Sequence, residues 1–156
     1  MIDIPTITGI VTTVSIIAGV IFTILEIRHF NDTRKTEIIM KIYDRFGSRE
    51  IVEAMNRVGG SNFENFADYS KKYGLTDVTQ IAVLFDGIGV LLEQNLIDIN
   101  MVDQLFGTTV YILWKKIEPV LTAMRQGLHE PAFFGHFENL MKCLEEHRKK
   151  NSNQTN

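Results

Sequence analysis

The chain has 156 residues, a formal net charge of -3 and a single cysteine. Without a surplus of cations it cannot displace counterions from phosphates as nucleic-acid-binding proteins do, so we expect no nucleic-acid partner. A lone cysteine cannot form an intramolecular disulfide, which indicates a reducing compartment. Only three prolines occur, which favours an all-α protein.

The most distinctive segment is an uncharged stretch from Ile4 through Leu25. As a helix it would rise about 33 Å, which is enough to cross a hydrocarbon core of about 30 Å. Only Asp3 provides a charged side chain ahead of it, and no small-residue cleavage motif follows, so a removable signal peptide is the weaker interpretation. We therefore predict a transmembrane anchor over residues 1–27, with a buried core helix as the alternative.

Charge placement around the anchor predicts its orientation. No Lys or Arg precedes the span, whereas five follow it: Arg28, Arg34, Lys35, Lys41 and Arg45. Because basic residues flank the cytoplasmic side of membrane helices, we expect the N-terminus outside and the bulk of the chain in the cytoplasm. The predicted location is the cell membrane, with the lipid bilayer as one partner.

Small and hydroxylated residues recur along one face of the anchor. They are Thr8, Thr12, Ser15, Gly19 and Thr23, spaced three or four positions apart. Such faces let membrane helices approach closely, so we predict that this face binds a partner helix. The alternative is that the hydroxyl groups bond their own helix carbonyls and the face meets lipid.

Residues 28–47 have the pattern of an amphipathic helix that leaves the bilayer surface. Ile38, Ile39, Ile42 and Phe46 form one apolar stripe, with charged residues elsewhere. No Pro or Gly separates this segment from the anchor, so the two can form one helix. Gly47 is predicted to end it.

Residues 48–150 have the pattern of a compact cytoplasmic bundle of about five to six helices. Ser48 can cap a helix that runs through Val58. Ser61, with Glu64 three positions later, forms a capping-box pattern for the next helix. The fold class predicted for the whole chain is therefore all-α, with a transmembrane helix followed by this bundle.

The most apolar helix of the bundle is predicted from about Val78 to Gln94, capped by Thr76 or Asp77. It is expected to be the central core helix. Its length and its interruption by Asp86 make it a poor second membrane span.

Turn and cap residues divide the remainder of the bundle. Asn95 favours a stop, Asp98 an N-cap and Gly107 a second stop. Pro131 suits the first turn of the final helix. The tail, residues 151–156, has no apolar side chain and is predicted to be disordered.

The one cluster with metal or redox residue types is His136, Cys143 and His147, which lie within about 40° on one face of the final helix. A structural zinc site needs four ligands, so this helix supplies at most a partial set, with His129 as the remaining candidate. Solvated histidines and a half-buried thiol are the simpler interpretation. No phosphate-cradling loop, nucleophile elbow or defensible pair of catalytic carboxylates occurs, so we predict no catalytic residue and no cofactor.

Two bundle residues are weaker candidates for partner binding. Asp86 interrupts an apolar helix, and its carboxylate is expected to pair with a Lys or Arg of another helix or to face solvent. A partner-binding or ion-relay role is the alternative. Trp114, followed by Lys115 and Lys116, suits an interfacial belt or a binding hot spot, although a lone aromatic at core spacing is more often a core residue.

The stretch from Leu91 to Arg125 resembles an uncharacterised family of prokaryotic single-span membrane proteins with a cytoplasmic helical domain. The matching features are Leu96-Ile97-Asp98, the Leu105-Phe106-Gly107 stop, and Trp114, Pro119 and Arg125 on the following helix. The likeness extends loosely back to the anchor and so covers most of the chain. It implies the topology described above and assigns no activity to any residue.

These features favour a non-enzymatic accessory or regulatory subunit that binds a larger membrane protein complex through its transmembrane helix and cytoplasmic domain. The first alternative is a self-associating, membrane-anchored sensor or defence factor that forms homo-oligomers through the same anchor face. The second is a thiol- or metal-dependent redox sensor centred on Cys143.

Overall fold

The computed structural model describes the backbone from residue 4 to residue 154, with all side chains in that range except those of residues 4–8, 10, 11, 31, 32 and 154. The described residues form helices and turns with no strand among them, which confirms the predicted all-α class. In chain order the helices are α1 (Ile4–Phe46), α2 (Arg49–Gly60), α3 (Phe66–Tyr73), α4 (Thr76–Glu93), α5 (Ile99–Val102), a π-helical turn (Asp103–Gly107), α6 (Thr108–Leu128) and α7 (Gly135–Gln154).

The chain divides into two compact units between Glu37 and Ile38. The first unit contains the N-terminal part of α1, and the second contains the end of α1 and all the helices that follow. α1 is continuous and ends at Phe46, just before the predicted stop at Gly47. The folded domain therefore begins inside α1, earlier than the predicted boundary at residue 48.

The N-terminal part of α1 exposes its large apolar side chains. Between Val14 and Phe30 these side chains are 48% to 68% exposed. The most apolar window of the segment Thr12–Phe46 has a mean hydropathy of 1.6 and no buried residue. By length and composition, α1 is the one described helix that can cross a membrane without a break.

The core of the second unit is built around α4. The ring of Phe85 stacks on that of Phe137 from α7, with 5.0 Å between centroids. Trp114 of α6 meets the same Phe137 ring edge-on at 4.9 Å. α3 and α4 together are long and apolar enough for a broken membrane span, with a bend of 107° between them, but the inward face of α4 is buried in protein. Both helices therefore belong to the bundle.

The last turns of α1 belong to this core. Ile39 is fully buried, and Ile38, Ile42 and Phe46 pack against the core cluster. The ring of Phe46 lies 4.9 Å from that of Phe106. The apolar stripe that the sequence predicts at the bilayer surface thus packs on the core, with Ile39 buried and the other three residues half-buried, because helices distant in sequence supply its partners.

The N-cap of α3 is Asn65, four positions later than the predicted Ser61. Asn65 Oδ1 accepts a hydrogen bond from the backbone N–H of Asp68 at 3.0 Å, and Asp68 Oδ2 accepts one from that of Glu64 at 3.2 Å. Ser61 instead donates from its hydroxyl to the carbonyl of Val58 at 2.7 Å and so helps to end α2. Ser61 and Asn65 can both serve as N-cap residues, and α3 begins after the second of them.

Ser48 and the predicted caps of α4 also behave differently from expectation. Ser48 occupies the N-cap position of α2, but its side chain makes no capping hydrogen bond. α4 begins after Leu75, with no side-chain cap. Asp77 pairs instead with Arg57 of α2, with 2.7 Å between Oδ2 and Nε.

Gly107 is not a stop, and that prediction is wrong. Its φ is −55°, and the chain passes from α5 through the π-helical turn directly into α6. A Cβ at Gly107 would overlap the carboxylate of Asp103 and lie 2.6 Å from Nη2 of Arg148, which pairs with that carboxylate. Gly107 therefore continues the helical backbone, and a larger residue here would require the ends of these two flexible side chains to move. Asn95 does have the predicted left-handed conformation, with φ 56°, and Asp98 caps α5 as predicted.

The connection from α6 to α7 is longer than predicted. His129 ends α6 in a left-handed conformation, and residues from Pro131 onward form a turn before α7 begins at Gly135. The prediction that Pro131 lies in the final helix is therefore wrong. The guanidinium of Arg125 fixes this turn by donating from Nε to the carbonyl of Phe133 at 2.8 Å.

The tail is helical over most of its length. α7 continues to Gln154, so the disorder predicted for residues 151–156 does not apply to 151–154. No Gly or Pro interrupts the chain between Glu145 and Gln154, and Ser152 donates from its hydroxyl to the carbonyl of Lys149 at 2.9 Å. The last two positions, 155 and 156, lie outside the described residues.

α4 and α7 are in close contact at Gly89. A Cβ built there would overlap the carbonyl oxygen of His136 and lie 2.7 Å from its carbonyl carbon. The obstacle is backbone, which cannot rotate away as a side chain could. Any larger residue at this position would push α7 off α4.

Replacing Gly89 therefore tests the α4–α7 contact. We expect Gly89→Ala to lower the free energy of unfolding of the full chain by about 1–3 kcal/mol, because the added methyl group overpacks the helix pair. Gly127→Ala is the control, since a Cβ at that α6 position meets nothing within 4 Å. It should be neutral or stabilise by up to about 1 kcal/mol through helix propensity. Denaturant unfolding followed by circular dichroism measures both, and equal stability of the two variants would contradict this account.

Candidate functional site

The predicted partner-binding face of the anchor is exposed where it is described. The side chain of Thr8 lies outside the described residues, whereas Thr12, Ser15, Gly19 and Thr23 are all exposed. Thr23 donates from Oγ1 to the carbonyl of Gly19 at 2.9 Å, as the lipid-facing alternative predicts for a hydroxyl group. A Cβ at Gly19 would meet nothing within 4 Å, so the surface there is open.

Asp86 lies where α4 faces the start of α7. Its Oδ1 accepts a hydrogen bond from the backbone N–H of Phe137 at 3.1 Å, and the residue is half-buried. Because α7 begins at Gly135, this carboxylate satisfies an N–H group that has no partner within its own helix. Its charge also lies at the positive end of the α7 dipole. Asp86 is thus an N-cap supplied by another helix, a role that the sequence analysis did not predict.

Trp114 has the surroundings of a core residue. It is 8% exposed, and its ring packs against that of Phe137. Lys115 extends over the ring of Tyr111, at 4.3 Å from the centroid, rather than forming an interfacial belt with the indole. The structure therefore supports the core interpretation of Trp114 over the partner hot spot.

The three candidate metal or redox residues have separate surroundings. His136 Nδ1 lies 2.8 Å from Oε2 of Glu93, which ends α4. His147 Nε2 lies 3.0 Å from Nδ2 of Asn151, one turn further along α7, and Cys143 is exposed. Within the described part of the chain, no three or more His, Cys, Asp or Glu side chains form a group that could hold a metal ion.

The turn before α7 is held by a second set of charged contacts. Arg125 donates from Nη1 to Oε2 of Glu138 at 2.7 Å, and Lys142 donates to Oε1 of the same carboxylate at 2.6 Å. The hydrogen bonds from Lys142 and Arg125 lower the pKa of Glu138 below its ordinary value. The pair of Arg125 with Glu138 links α6 to α7, and Lys142 supports the same carboxylate from within α7.

A groove that the sequence analysis missed lies on the second unit, between the end of α1 and α4. Its volume is about 790 Å³, and most of its lining is aliphatic. Ile51 of α2 and Ile88 of α4 are buried beneath it. Of the described residues that line it, only Lys41 and Arg45 carry charge.

The charged residues of α4 all point away from this groove. Asp77 pairs with Arg57, whose hydrogen bond lowers the pKa of the carboxyl. Glu93 accepts a hydrogen bond from Asn139 at 3.1 Å, which lowers the pKa of Glu93, and Asp86 caps α7. The outward side of α4 is therefore uncharged along the groove. The signal in the sequence is that α4 is apolar on two sides, where a single amphipathic stripe is usual.

Comparison with known proteins assigns a family but no activity. Residues 13–143 match a family described as a domain of unknown function, DUF4760. The chain belongs to this family. No curated protein and no solved structure shows significant similarity to it. The expected resemblance to an uncharacterised family is thereby confirmed.

The DUF4760 match includes most of the uncharged part of α1, the whole of α4 and its groove, and ends inside α7 at Cys143. Two predicted features fall outside it. The first is the start of the anchor face, with Thr8 and Thr12, and the second is His147. Asp86 and the groove are thus parts of the family domain itself.

In this DUF4760 chain, removal of the Asp86 carboxylate tests the cap between helices. We expect Asp86→Ala to lower the free energy of unfolding by about 1–2 kcal/mol, because an N–H group of α7 loses its acceptor. Asp86→Asn should lose less, since an amide oxygen can still accept the bond. Asp44→Ala, at an exposed position of α1, is the control and should change stability by less than about 0.5 kcal/mol. Equal losses for Asp86→Ala and Asp44→Ala would rule out the cap.

Proposed function

We propose that this protein is a membrane-anchored, non-enzymatic accessory or regulatory subunit that binds a larger membrane protein complex. The observation that carries the proposal is the exposed apolar surface of α1. From Thr12 to Phe30 every described residue is exposed, and the apolar side chains there would be costly to leave in water. A bilayer covers such a helix, and α1 is long enough to cross one.

The charges that follow the apolar stretch support the proposed orientation. Arg28, Arg34 and Lys35 follow within ten residues of its end at Leu25, and all three are outside the folded unit that begins at Ile38. Basic residues at this position favour retention on the cytoplasmic side. We therefore place the bundle in the cytoplasm, next to the cytoplasmic parts of the complex.

The face of α1 that carries Gly19 is the proposed contact with the complex. The hydroxyl of Thr23 is already satisfied by the carbonyl of Gly19, so the face can enter a dry interface without losing a hydrogen bond to water. Gly19 lets a second helix backbone approach closely. Such packing would hold the subunit in the complex and position its bundle beside a cytoplasmic domain.

Membrane retention is the first test of this function. We expect the full chain to stay with membranes after alkaline extraction, and the double variant Ile17→Arg, Ile21→Arg to be lost from them. Each arginine near the middle of a span costs about 2.5–3.5 kcal/mol. Ile112→Arg is the matched control, because Ile112 is 59% exposed on α6 of the bundle and Ile17 is 54% exposed on α1. A wild-type chain that stays in the supernatant after ultracentrifugation would refute the anchor.

The single cysteine reports orientation in the same experiment. Cys143 is exposed on α7, so a maleimide that cannot cross membranes should label it only after the cells are opened. Labelling of intact cells would place the bundle outside and overturn the proposed topology.

Contact with a complex is the second test. A photo-crosslinking residue at Gly19 should yield an adduct of one defined mass with a different protein. The same residue at Ile17, which lies about 200° away around the helix, should not. Crosslinks from Gly19 to a second copy of the chain alone would favour self-association through the anchor, and equal lipid adducts from both positions would remove the proposed contact.

A further inference from the structure

The outward face of α4 carries side chains of the same class, aliphatic or amide, at equal distances on either side of Gly87. Three positions away on either side the residues are Leu84 and Val90, four positions away they are Val83 and Leu91, and seven positions away they are Gln80 and Gln94. Steps of three, four and seven residues return to the same side of an α-helix, so all of these lie within about 60° of Gly87. The face is therefore symmetric in position and in residue class, with Leu and Val exchanged in two of the three pairs.

This face is uncovered and open at its centre. Val83 is 58% exposed and Val90 37% exposed. Gly87 is exposed as well, and a Cβ built there would meet nothing within 4 Å. An apolar strip of this kind, on a helix whose opposite face is already buried, is normally covered by another element.

We propose that a second copy of this chain covers the face, with the two α4 helices antiparallel and Gly87 on the two-fold axis. In such a pair, each residue before Gly87 lies opposite the residue equally far after it. Val83 then packs on Leu91 of the second copy, and Leu84 on Val90. Gln80 lies opposite Gln94, where the two amides can hydrogen-bond, and Gly87 lets the two backbones approach.

Charge supports the antiparallel direction. Arg45 lies near the Gln80 end of the groove, because Glu50 bonds both residues, at 3.1 Å to Arg45 and 2.7 Å to Gln80. The antiparallel partner brings the C-terminal end of its α4 to this position. Arg45 is half exposed and already paired with Glu50, and that end of α4 has no basic residue in its last turn, so the N–H groups of Arg45 that Glu50 does not bind can donate to its last carbonyl groups. A parallel partner would bring N–H groups to the same position, which cannot accept a hydrogen bond from Arg45.

The size of the face indicates a weak, concentration-dependent pair. The strip from Gln80 to Gln94 is about 21 Å long and about 10 Å wide. Its area of about 200 Å² is well below the roughly 800 Å² that each partner buries in a standard interface. Ile38 and Ile42 of α1 line the same groove and extend the contact sideways. Covalent trapping is therefore the appropriate measurement.

The experiment uses the full chain with Cys143→Ser as background and a short bis-maleimide as crosslinker. Gly87→Cys should give a covalent dimer, since the two thiols meet at the axis. Gly127→Cys, at another open helical glycine, is the control and should give none above background. The pattern is read in the same way in membranes or in buffer, so the outcome does not depend on the proposed accessory role.

A mixed pair of variants tests the register. Val83→Cys and Leu91→Cys, carried on differently tagged copies, should crosslink at least about fivefold more when mixed than when either is present alone, because identical positions are about 12 Å apart along the axis. More crosslinking between identical copies of Val83→Cys would show parallel pairing and overturn the proposal. Crosslinks through Ser15 or Gly19 of the anchor with none through Gly87→Cys would overturn it as well.

A charge introduced into the face gives an independent readout. Val83→Glu, added to the Gly87→Cys chain, should reduce the dimer about tenfold or more, because it buries a carboxylate with no partner. Val52→Glu is the matched control, on α2 away from the groove, where the valine is 41% exposed. Equal dimer yields from these two chains would contradict pairing through α4.

Discussion

The contact between α4 and α7 is the constraint on which the rest of the bundle depends. Gly89 brings the two backbones together, and Asp86 on one side and Glu93 on the other bond the first turn of α7. These residues are spaced three and four positions apart, so they share one face of α4. The aromatic contact of Phe85 with Phe137 belongs to the same interface. One helix face thus provides close approach, polar caps and apolar burial at once.

That arrangement also determines what is left on the other side of α4. Its acidic residues are all used in contacts with α2 and α7, so the outward face has no charge along the groove. A solvated helix face normally carries charged residues, and their absence from this one leaves an apolar surface with Lys41 and Arg45 at its edge. Because the acidic residues of α4 all stabilise contacts with α2 and α7, the outward face of α4 stays apolar and is suited to association.

How well the sequence predicts a feature of this structure depends on how far apart in sequence the contacting residues are. Apolar periodicity predicts the helices, and local signals such as Asn95 and Asp98 predict two boundaries, because their partners are a few residues away. The stop predicted at Gly107 was wrong because the backbone there stays helical, with a φ of −55°, and passes from the π-helical turn into α6. The role of Asp86 depends on a hydrogen bond from Phe137, which is distant in sequence, and the groove depends on the packing of α1 on α4. The pattern of residue types along the chain does not indicate which of these distant residues contact each other.

The two proposed surfaces differ in kind and can operate together. A helix face in a bilayer has no hydrophobic drive toward another helix, so the Gly19 face relies on shape and close packing. The α4 face is apolar and would lie in water, so its burial is itself favourable, but its small area makes pairing in dilute solution weak. An anchor changes that balance, because two chains held in one bilayer meet at a much higher effective concentration. Anchoring through α1 would therefore strengthen pairing through α4 without any added contact, and it would leave the Gly19 face available for a larger complex.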